Sequence, residues 1–445
     1  MFDFEFLKRS AAGNAASGSA AAPGSAPDGL LQGTQGDAAN GYLGCALLLD
    51  AQMRVQGYRM SWRVPGGQVD PVESTRAMLS CLARHLNPEE EGWRLGNRPV
   101  HVDIDADALF LPELQELPPE NVVLRMSLDE VLDPDIRTMV AFMREQGFGL
   151  LLSGGDKLPS AIAADPELLM LATHLDVDDG DEALIDALRA SAPAGQLLRP
   201  LVATRMLGWE HFDRCTAMQV EVFVDEHHPG PQVKVESDEL HPDAMQLVQL
   251  MQMLQRNEKI AVIETALKRD AALTYRLLRH INSPAIGAGV EITSMRHAVA
   301  MLGYSPLFRW LSVLLATTSG VSSPFMMKRA IMRGRFVELM GRGMLAAGEA
   351  DNLFVVGMFS LMDQLLGMPM REVLAHVQLT DAVQQAILSR QGVYAPFLEL
   401  VEASVADEGQ LAKRAEALFA SADQVNAAHL QALAWAREIS QAGNA

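Results

Sequence analysis

Three short stretches of the 445-residue chain carry residue types that could do chemistry. The turn Gly154-Gly155-Asp156-Lys157 follows an apolar run, and a glycine-rich turn after a strand can hold phosphate on its backbone N–H groups. Acidic residues crowd positions 176–186, and residues 225–228 read Asp-Glu-His-His, so both stretches could bind a cation. None of the three has the spacing of a Walker loop, a calcium-binding loop or a zinc site. The sequence therefore favours a plain turn, a solvated acidic loop and a loop between domains.

A predicted helix near residues 325–347 is basic inside an acidic protein. It carries Lys328, Arg329, Arg333, Arg335 and Arg342. One hypothesis is a binding face for an acidic partner or a nucleotide. The sequence favours the other hypothesis, a solvated face whose charge is partly used in ion pairs within the chain.

The charge balance excludes a protein built mainly to bind nucleic acid. Lys and Arg total 36 against 56 Asp and Glu, which gives a net charge of −20, whereas phosphate binding needs a basic face. The three cysteines lie far apart, which fits a reducing compartment and neither a disulfide scaffold nor a zinc ribbon. The start lacks the order of a signal peptide, and apolar runs are too short to span a membrane. We therefore expect a cytoplasmic protein without membrane contact.

Hydrophobic patterning divides the chain into regions of different structure. Residues 1–9 carry alternating phenylalanines and form a candidate docking arm, and the Ala/Gly/Ser/Pro-rich residues 10–41 predict a flexible linker. Strands alternate with helices from residue 42 onward, which predicts a mainly parallel sheet or barrel. After about residue 233 only helical patterns remain. Predicted strands cover 43–49, 56–63, 100–104, 122–126, 148–152 and 197–202, and predicted helices include 73–85, 133–146, 243–255, 271–281, 352–366 and 407–442.

Residues 274–310, TYRLLRHINSPAIGAGVEITSMRHAVAMLGYSPLFRW, strongly resemble the HDOD domain. HDOD domains are related to HD-type phosphohydrolases, lack most of their metal-binding His-Asp set, and have regulatory roles. Here Met362-Asp363 stands where an HD enzyme would carry adjacent His and Asp, so the resemblance implies no phosphohydrolase activity. The matching positions are Leu277, Leu278, Asn282, Ser283, Gly287, Ile292, Ala298, Leu302 and Gly303.

The order and length of the chain are similar to those of a bacterial family in which an HDOD domain follows an EAL-type domain. EAL domains are barrel-type cyclic di-GMP phosphodiesterases that hold two metal ions with several carboxylates and an Asn. The resemblance implies an EAL-like domain at 42–232, an HDOD domain at 233–400 and C-terminal helices at 401–445 packed on the HDOD domain. An eight-stranded barrel of this class usually takes about 250 residues. The fold class is therefore a reduced or distorted EAL-like TIM-type α/β barrel followed by an all-α HDOD domain.

The EAL-like region departs from the family at nearly every metal-binding position. Arg59 in YRMSWR stands where the first metal-binding Glu would be, and Arg125 in VVLRMS replaces a second Glu. Asp replaces the Asn in HVDID (101–105), and residues 153–155 read Ser-Gly-Gly in place of an Asp-Asp-Phe segment. The Lys of the Lys-hydrophobic-Asp segment is lost in His174-Leu175-Asp176, and RPLVAT (199–204) has no acid. Val224-Asp225-Glu226 stands at the terminal Gln-Gly-Tyr segment.

These departures predict a non-catalytic regulatory or scaffold protein that acts through protein–protein contacts. We expect no catalytic residue, metal or cofactor, a protein partner in a signalling pathway, and no nucleic-acid partner, with a homodimer as an open alternative. The candidate interaction patch on the HDOD domain is Arg276, Arg279, Asn282 and Arg296. The alternative function is a catalytically inactive cyclic di-GMP receptor with Arg59, Arg63 and Arg125 on the phosphates. It requires these arginines to converge in one open cleft and not to pair with Asp103 and Asp105.

Overall fold

Alternating apolar side chains and β-branched residues build a closed barrel in the first half of the computed structural model. Within the described residues the barrel has eight strands in sequential order. Strands β2 to β8 run parallel to their neighbours, whereas β1 runs antiparallel to both β2 and β8. The strands are β1 (Tyr42–Leu49), β2 (Val55–Arg63), β3 (Val100–Asp103), β4 (Val122–Ser127), β5 (Gly149–Ser153), β6 (His174–Asp176), β7 (Leu201–Ala203) and β8 (Val222–Asp225).

The structure describes residues 38–66, 69–88, 92–192, 198–206, 208–225, 240, 242–267, 271–282, 292, 294–318, 324–406 and 408–444. The candidate docking arm, most of the predicted linker, and His227 and His228 lie outside the described residues. In the described part, no helix is both long and apolar enough to cross a membrane.

The predicted barrel is confirmed, and its distortion lies in short elements and one reversed strand. The barrel closes between residues 42 and 225, with strands β6 and β7 of only three residues each. Side chains alternate along each strand, and Leu48, Val123, Leu151, Val202 and Val224 form an apolar cluster separate from the main core. The next inward positions toward the carboxyl ends of the parallel strands are polar. The barrel therefore has an apolar floor and a polar mouth.

Helices between the strands cover the barrel and begin and end at residues that the sequence marks. Asp70 and Asp133 accept hydrogen bonds from the first turns of α1 and α3, as N-cap residues do. Gly147 ends α3 in the left-handed region at φ 111°, the conformation in which glycine commonly terminates a helix. Short 3₁₀ turns connect β3 to β4. The helices of this region are α1 (Pro71–Leu86), α2 (Leu128–Val131), α3 (Pro134–Gln146), α4 (Lys157–Ala164), α5 (Glu167–Leu171), α6 (Glu182–Ser191) and α7 (Trp209–Ala217).

The rest of the described chain is helical, as predicted. Ser294 accepts a hydrogen bond from the His297 N–H and caps its helix. The helices are α8 (Pro242–Gln255), α9 (Ile260–Leu267), α10 (Ala271–Ile281), α11 (Met295–Leu302), α12 (Tyr304–Thr318), α13 (Pro324–Gly341), α14 (Ala347–Phe359), α15 (Met362–Leu366), α16 (Met370–Val377), α17 (Asp381–Ser389), α18 (Ala395–Ala406), α19 (Glu408–Ala417) and α20 (Ala422–Asn444).

The barrel and the helical region belong to one compact unit. We call the contact between them the seam. It is formed by β1, β2 and α1 of the barrel region and by α13, α18 and α20 of the helical region. Asn426 on α20 accepts from the Leu43 N–H at 2.8 Å and donates to the Gly41 carbonyl at 3.0 Å. A buried side-chain amide thus serves as hydrogen-bond partner for the start of β1. On the surface, Asp423 pairs with Arg84 at 2.9 Å.

The basic helix α13 lies in this seam, and the favoured prediction of a solvated face is wrong for most of it. Lys328 is only 2% exposed and contacts the hydroxyl and ring of Tyr58 on β2. The side chains of Arg329, Arg333 and Arg335 are 20%, 14% and 20% exposed. Intramolecular pairing, the second half of that prediction, is confirmed by contacts to Asp225, Glu402 and Glu338. Gly334 allows a close approach of α14, because a Cβ there would lie 2.8 Å from the Phe354 carbonyl oxygen.

Candidate functional site

The barrel mouth carries a cluster of arginines and aspartates at the carboxyl ends of the parallel strands. The Arg59 guanidinium donates to Asp103 at 2.6 Å. Arg125, beside Asp103 in the β3–β4 register, lies 3.7 Å from the same carboxylate. We call Arg59, Asp103, Arg125, Asp176 and Thr204 the mouth cluster. Each of these residues is at an inward position of its strand or directly after the strand, two residues beyond the preceding inward position.

Asp176 is the most completely bonded member of the mouth cluster. One carboxylate oxygen accepts a hydrogen bond from Arg125 Nε at 2.8 Å and forms an ion pair with Arg125 Nη2 at 2.7 Å. The other oxygen accepts from the Thr204 hydroxyl and the Asp178 N–H, both at 2.8 Å. The side chain is 1% exposed. A carboxylate offers about four lone-pair sites, so three hydrogen bonds and an ion pair leave Asp176 little capacity for a further ligand.

Two histidines lie beneath the mouth cluster. The rings of His101 on β3 and His174 on β6 lie 5.6 Å apart. Burial, followed by His174 and Arg59, lowers the pKa of His101 to about 3. Burial and Arg144 also lower the pKa of His174. Both rings are therefore neutral at pH 7, and the positive charge of the mouth comes from its arginines.

The residues of the mouth do not fit a pair of metal ions. Carboxylates would have to bind the metals, as the resemblance to EAL enzymes implies, and within the described part of the mouth cluster the acids are Asp103 and Asp176. Arg59 and Arg125 already hold these acids, and a guanidinium beside a carboxylate repels a cation. Across the described residues, no group of three or more His, Cys, Asp or Glu side chains is arranged to hold a metal.

Arg63 lies at the end of β2 and lines a cavity in the seam, where it faces α13. The three arginines of the receptor hypothesis therefore occupy different environments. Arg59 and Arg125 are held by Asp103 and Asp176, and Arg59 and Arg63 both line the seam cavity. Asp105, the second acid considered as a partner, has a pKa raised by burial and by nearby Glu130.

The other chemical candidates have structural roles. Lys157, in the glycine-rich turn, pairs with Asp129 at 2.7 Å. The acidic stretch 176–186 is only partly a solvated loop, because Asp176 is buried, Asp178 pairs with Arg205 at 2.7 Å, and Asp181 caps α6. In the HDOD region, Asp363 lies in the first turn of α15, and burial raises its pKa.

The candidate interaction patch is only partly free to meet a partner. The Asn282 amide donates to the Ile292 carbonyl at 2.8 Å and accepts from the Ile292 N–H at 2.7 Å, which closes the loop after α10. Arg296 is 67% exposed and pairs with Glu264 at 3.1 Å. Arg279 is half-buried, with one guanidinium nitrogen out of hydrogen-bond reach of the described residues. Arg276 lies on α10, and its side chain is outside the described residues.

Sequence reasoning missed the residues that complete these sites. Thr204 closes the mouth cluster, Asn426 bonds the start of β1, and Lys328 is buried on Tyr58. Strand alternation could have placed Thr204 on the inward face, two residues beyond Val202. The contacts of Asn426 and Lys328 join residues that lie 385 and 270 positions apart, so no local signal exists for them.

Residues 240–360 match the HDOD domain family model, and this range contains the motif at 274–310. The chain is 29% identical to uncharacterized protein YuxH of Bacillus subtilis over 157 residues. This match covers 34% of this chain and 38% of that protein. The chain is 29% identical over 163 residues to cyclic di-GMP phosphodiesterase CdgJ of Vibrio cholerae, which covers 36% of this chain and 37% of that protein. The matches thus span less than two fifths of either relative.

Among solved structures, the chain is similar to the FimX EAL domain of Xanthomonas citri, which was solved with c-di-GMP. That likeness has 16% identity and a TM-score of 0.33, and it covers 42% of this chain and 85% of the other. The predicted order of a barrel followed by HDOD helices is confirmed: the chain carries an HDOD domain at residues 240–360 behind a closed eight-stranded barrel.

Proposed function

We propose that this chain is a regulatory protein in cyclic di-GMP-linked signalling that does not hydrolyse the dinucleotide. It acts through contacts of its barrel and HDOD domain with a protein partner in the cytoplasm. Similarity to a cyclic di-GMP phosphodiesterase over part of the chain supports the link to this signalling. The HDOD domain supports a regulatory role, as the resemblance implies.

One observation carries the non-catalytic part of this proposal: the hydrogen-bond donors around Asp176. Metal-assisted hydrolysis needs carboxylates that are free to hold the metal and to lower the pKa of the attacking water. To bind a metal, Asp176 would have to give up Arg125, Thr204 and the Asp178 N–H together. Arg125 would then keep only the Asp103 carboxylate at 3.7 Å, and the Thr204 hydroxyl and the Asp178 N–H would lose their acceptor, which costs about 1–3 kcal/mol for each buried group.

A turnover assay tests this part. The purified full chain is incubated with cyclic di-GMP and Mg²⁺ or Mn²⁺, and the linear dinucleotide is separated by chromatography. We expect no product above the protein-free background, with CdgJ as the positive control. Product that depends on both metal and protein, and that disappears in Asp176→Asn, would overturn the proposal.

The receptor alternative has less support, because Arg59 and Arg125 already form hydrogen-bonded pairs with carboxylates. Calorimetric titration with cyclic di-GMP separates the two functions. We expect no heat of binding in the micromolar range. Micromolar binding without turnover, lost in Arg63→Gln, would make the chain a receptor.

Partner capture tests the proposed HDOD surface. The double variant Arg276→Glu/Arg279→Glu on α10 should lose the partner that the full-length wild type retains, while circular dichroism shows an unchanged fold. Arg371→Glu on α16 is the matched control, because Arg371 is an exposed arginine of the same helical region. Equal recovery of the same partner by the double variant would refute the patch.

A further inference from the structure

The seam contains a cavity of about 80 Å³ whose lining comes from both the barrel and the helical region. The barrel contributes Ser61 and Arg63 from β2, and the helices contribute Arg329 and Arg333 from α13. Four guanidinium groups line it against one carboxylate, Asp225, among the described lining residues. Arg59 and Arg333 also pair with Asp103 and Glu402, which lie outside the lining, so the described groups at the cavity carry a small excess of positive charge.

The two arginines of α13 use few of their hydrogen-bond donors. Arg329 lies 3.6 Å from Asp225, and it donates no hydrogen bond to the described residues. Arg333 donates to the Ser360 hydroxyl at 3.0 Å and lies 3.6 Å from Glu402. Each guanidinium has five N–H donors. Donors of largely buried arginines that face a cavity require water or an anionic ligand, because an unpaired buried donor is costly.

The size of the cavity restricts the ligand. A cavity needs about 10–15 Å³ to hold one water molecule. A cavity of about 80 Å³ therefore admits several waters or one tetrahedral oxyanion. A cyclic dinucleotide is far larger. The fork of an arginine matches the oxygens of phosphate with two parallel hydrogen bonds.

We propose that the seam cavity is a binding site for a small phosphate-bearing anion, held by Arg329 and Arg333 of α13 and by Arg63 and Ser61 of β2. A bound phosphate bridges the barrel to the helical region and so stabilises the closed seam. The ligand is free orthophosphate or a small phosphomonoester. A chain that turned over cyclic di-GMP would still bind phosphate here, so the two proposals fail separately.

Thermal unfolding and calorimetry of the full chain test this site at constant ionic strength. Separate samples contain orthophosphate, glycerol phosphate or chloride. Because a ligand that binds only the folded state stabilises it, we expect both phosphates to raise Tm and chloride to leave it unchanged. A tighter fit of the ester than of orthophosphate would identify a phosphorylated metabolite as the source. Absence of a phosphate-specific rise in the wild type would overturn the proposal, as would competition by cyclic di-GMP.

Variants of α13 locate the ligand. Arg329→Gln and Arg333→Gln should each weaken phosphate binding roughly tenfold or more, the size of a lost charge-assisted hydrogen bond. Arg342→Gln is the matched control, because Arg342 is on the same helix, is 62% exposed and lies outside the cavity. If a glutamine variant does not fold, the lysine variant keeps the charge and loses the fork, and it should still weaken binding. Wild-type affinity in all of these variants would refute the assignment.

Hydrogen exchange gives a readout that a purely structural arginine would not change. Phosphate should slow amide exchange in β2 and α13 together in the wild type, and should not do so in Arg329→Gln. Equal slowing in both proteins would contradict the bridge.

Discussion

The mouth cluster and the seam cavity contain the same residue types and differ in how donors and acceptors match. At the mouth, Asp176 accepts one hydrogen bond from Arg125 on one oxygen and two, from Thr204 and a backbone N–H, on the other. In the seam, Arg329 and Arg333 lie 3.6 Å from their carboxylates. A cluster with matched donors and acceptors has little capacity left for a ligand, whereas a cluster with unused donors can bind one. The difference separates a structural ion-pair network from a candidate binding site, although both lie at the carboxyl ends of barrel strands or beside them.

Among the substitutions that test the matched contacts, Asp176→Ala should reduce stability the most. The substitution leaves Arg125 in the mouth without its hydrogen-bonded carboxylate. We expect the free energy of unfolding to fall by about 3–5 kcal/mol, because the Thr204 hydroxyl and the Asp178 N–H each lose their acceptor at about 1–3 kcal/mol, and Arg125 keeps only the more distant Asp103 carboxylate. Urea unfolding followed by circular dichroism measures the loss.

Asp178→Asn is the matched control for that experiment. Asp178 lies two residues after Asp176 and pairs with Arg205. Both side chains of this pair are at least half exposed. An exposed ion pair contributes about 0–1 kcal/mol. A loss in Asp176→Ala no larger than that of the control would show that the mouth cluster is not a matched network.

The second-largest loss of stability is expected at Asn426, whose side-chain amide both donates and accepts a hydrogen bond inside the seam. Asn426→Ala removes the side chain that bonds the Leu43 N–H and the Gly41 carbonyl at the start of β1. Each buried backbone group left without a partner costs about 1–3 kcal/mol, so we expect a loss of at least 2 kcal/mol in urea unfolding. Hydrogen exchange should also rise at Leu43.

Gln424→Ala on the same helix is its control, because Gln424 is exposed and bonds only Ser421 among the described residues: its side-chain oxygen accepts from the Ser421 N–H, and its own N–H donates to the Ser421 hydroxyl. If both variants lose the same stability, α20 does not hold β1 through Asn426. The seam would then depend on apolar packing alone.

The sequence predicted the parts of this fold that local patterns specify. The apolar runs of β1, β2 and β4 and the caps of α3 and α11 follow from side-chain alternation and capping chemistry. Strands β6 and β7 have three residues each, too few to show an alternating pattern, and the predicted strand at 197–202 gives way to Leu201–Ala203. The single helix predicted at 352–366 is two helices, α14 and α15, joined at Ser360 and Leu361.

The candidate sites were predictable only in part, because their contacts are long-range. The arginines at positions 59 and 125 stood out because the resemblance to EAL domains places metal-binding glutamates at these positions. The charge run of α13 looked solvated because periodicity shows which residues share a face and not what covers that face. Lys328 meets Tyr58 across 270 residues of sequence, and only the folded chain brings them together.

Lys328 allows a test through the pH dependence of stability, because its amine is buried among groups that give it no negative charge. Burial, and then Arg98 and Arg437, lowers its pKa well below the usual value. Its neighbours Tyr58 on β2 and Cys45 on β1 have pKa values raised by burial to about 12, so both are neutral at pH 7. The folded chain therefore holds this proton less tightly than the unfolded chain, in which a lysine titrates near pH 10.4.

The sign of the pH dependence follows from this difference. Unfolding takes up a proton between the lowered pKa and about pH 10.4, so stability rises with pH in this window by up to about 1.4 kcal/mol per unit and is lost as pH falls. Lys328→Met removes this dependence, and the variant should gain stability over the wild type most at low pH and least near pH 10. Urea unfolding from pH 6 to 10 measures both curves, with the exposed Lys413→Met as control. Parallel curves for Lys328→Met and the wild type would mean that the amine keeps its proton in the seam, which would require an anionic partner there.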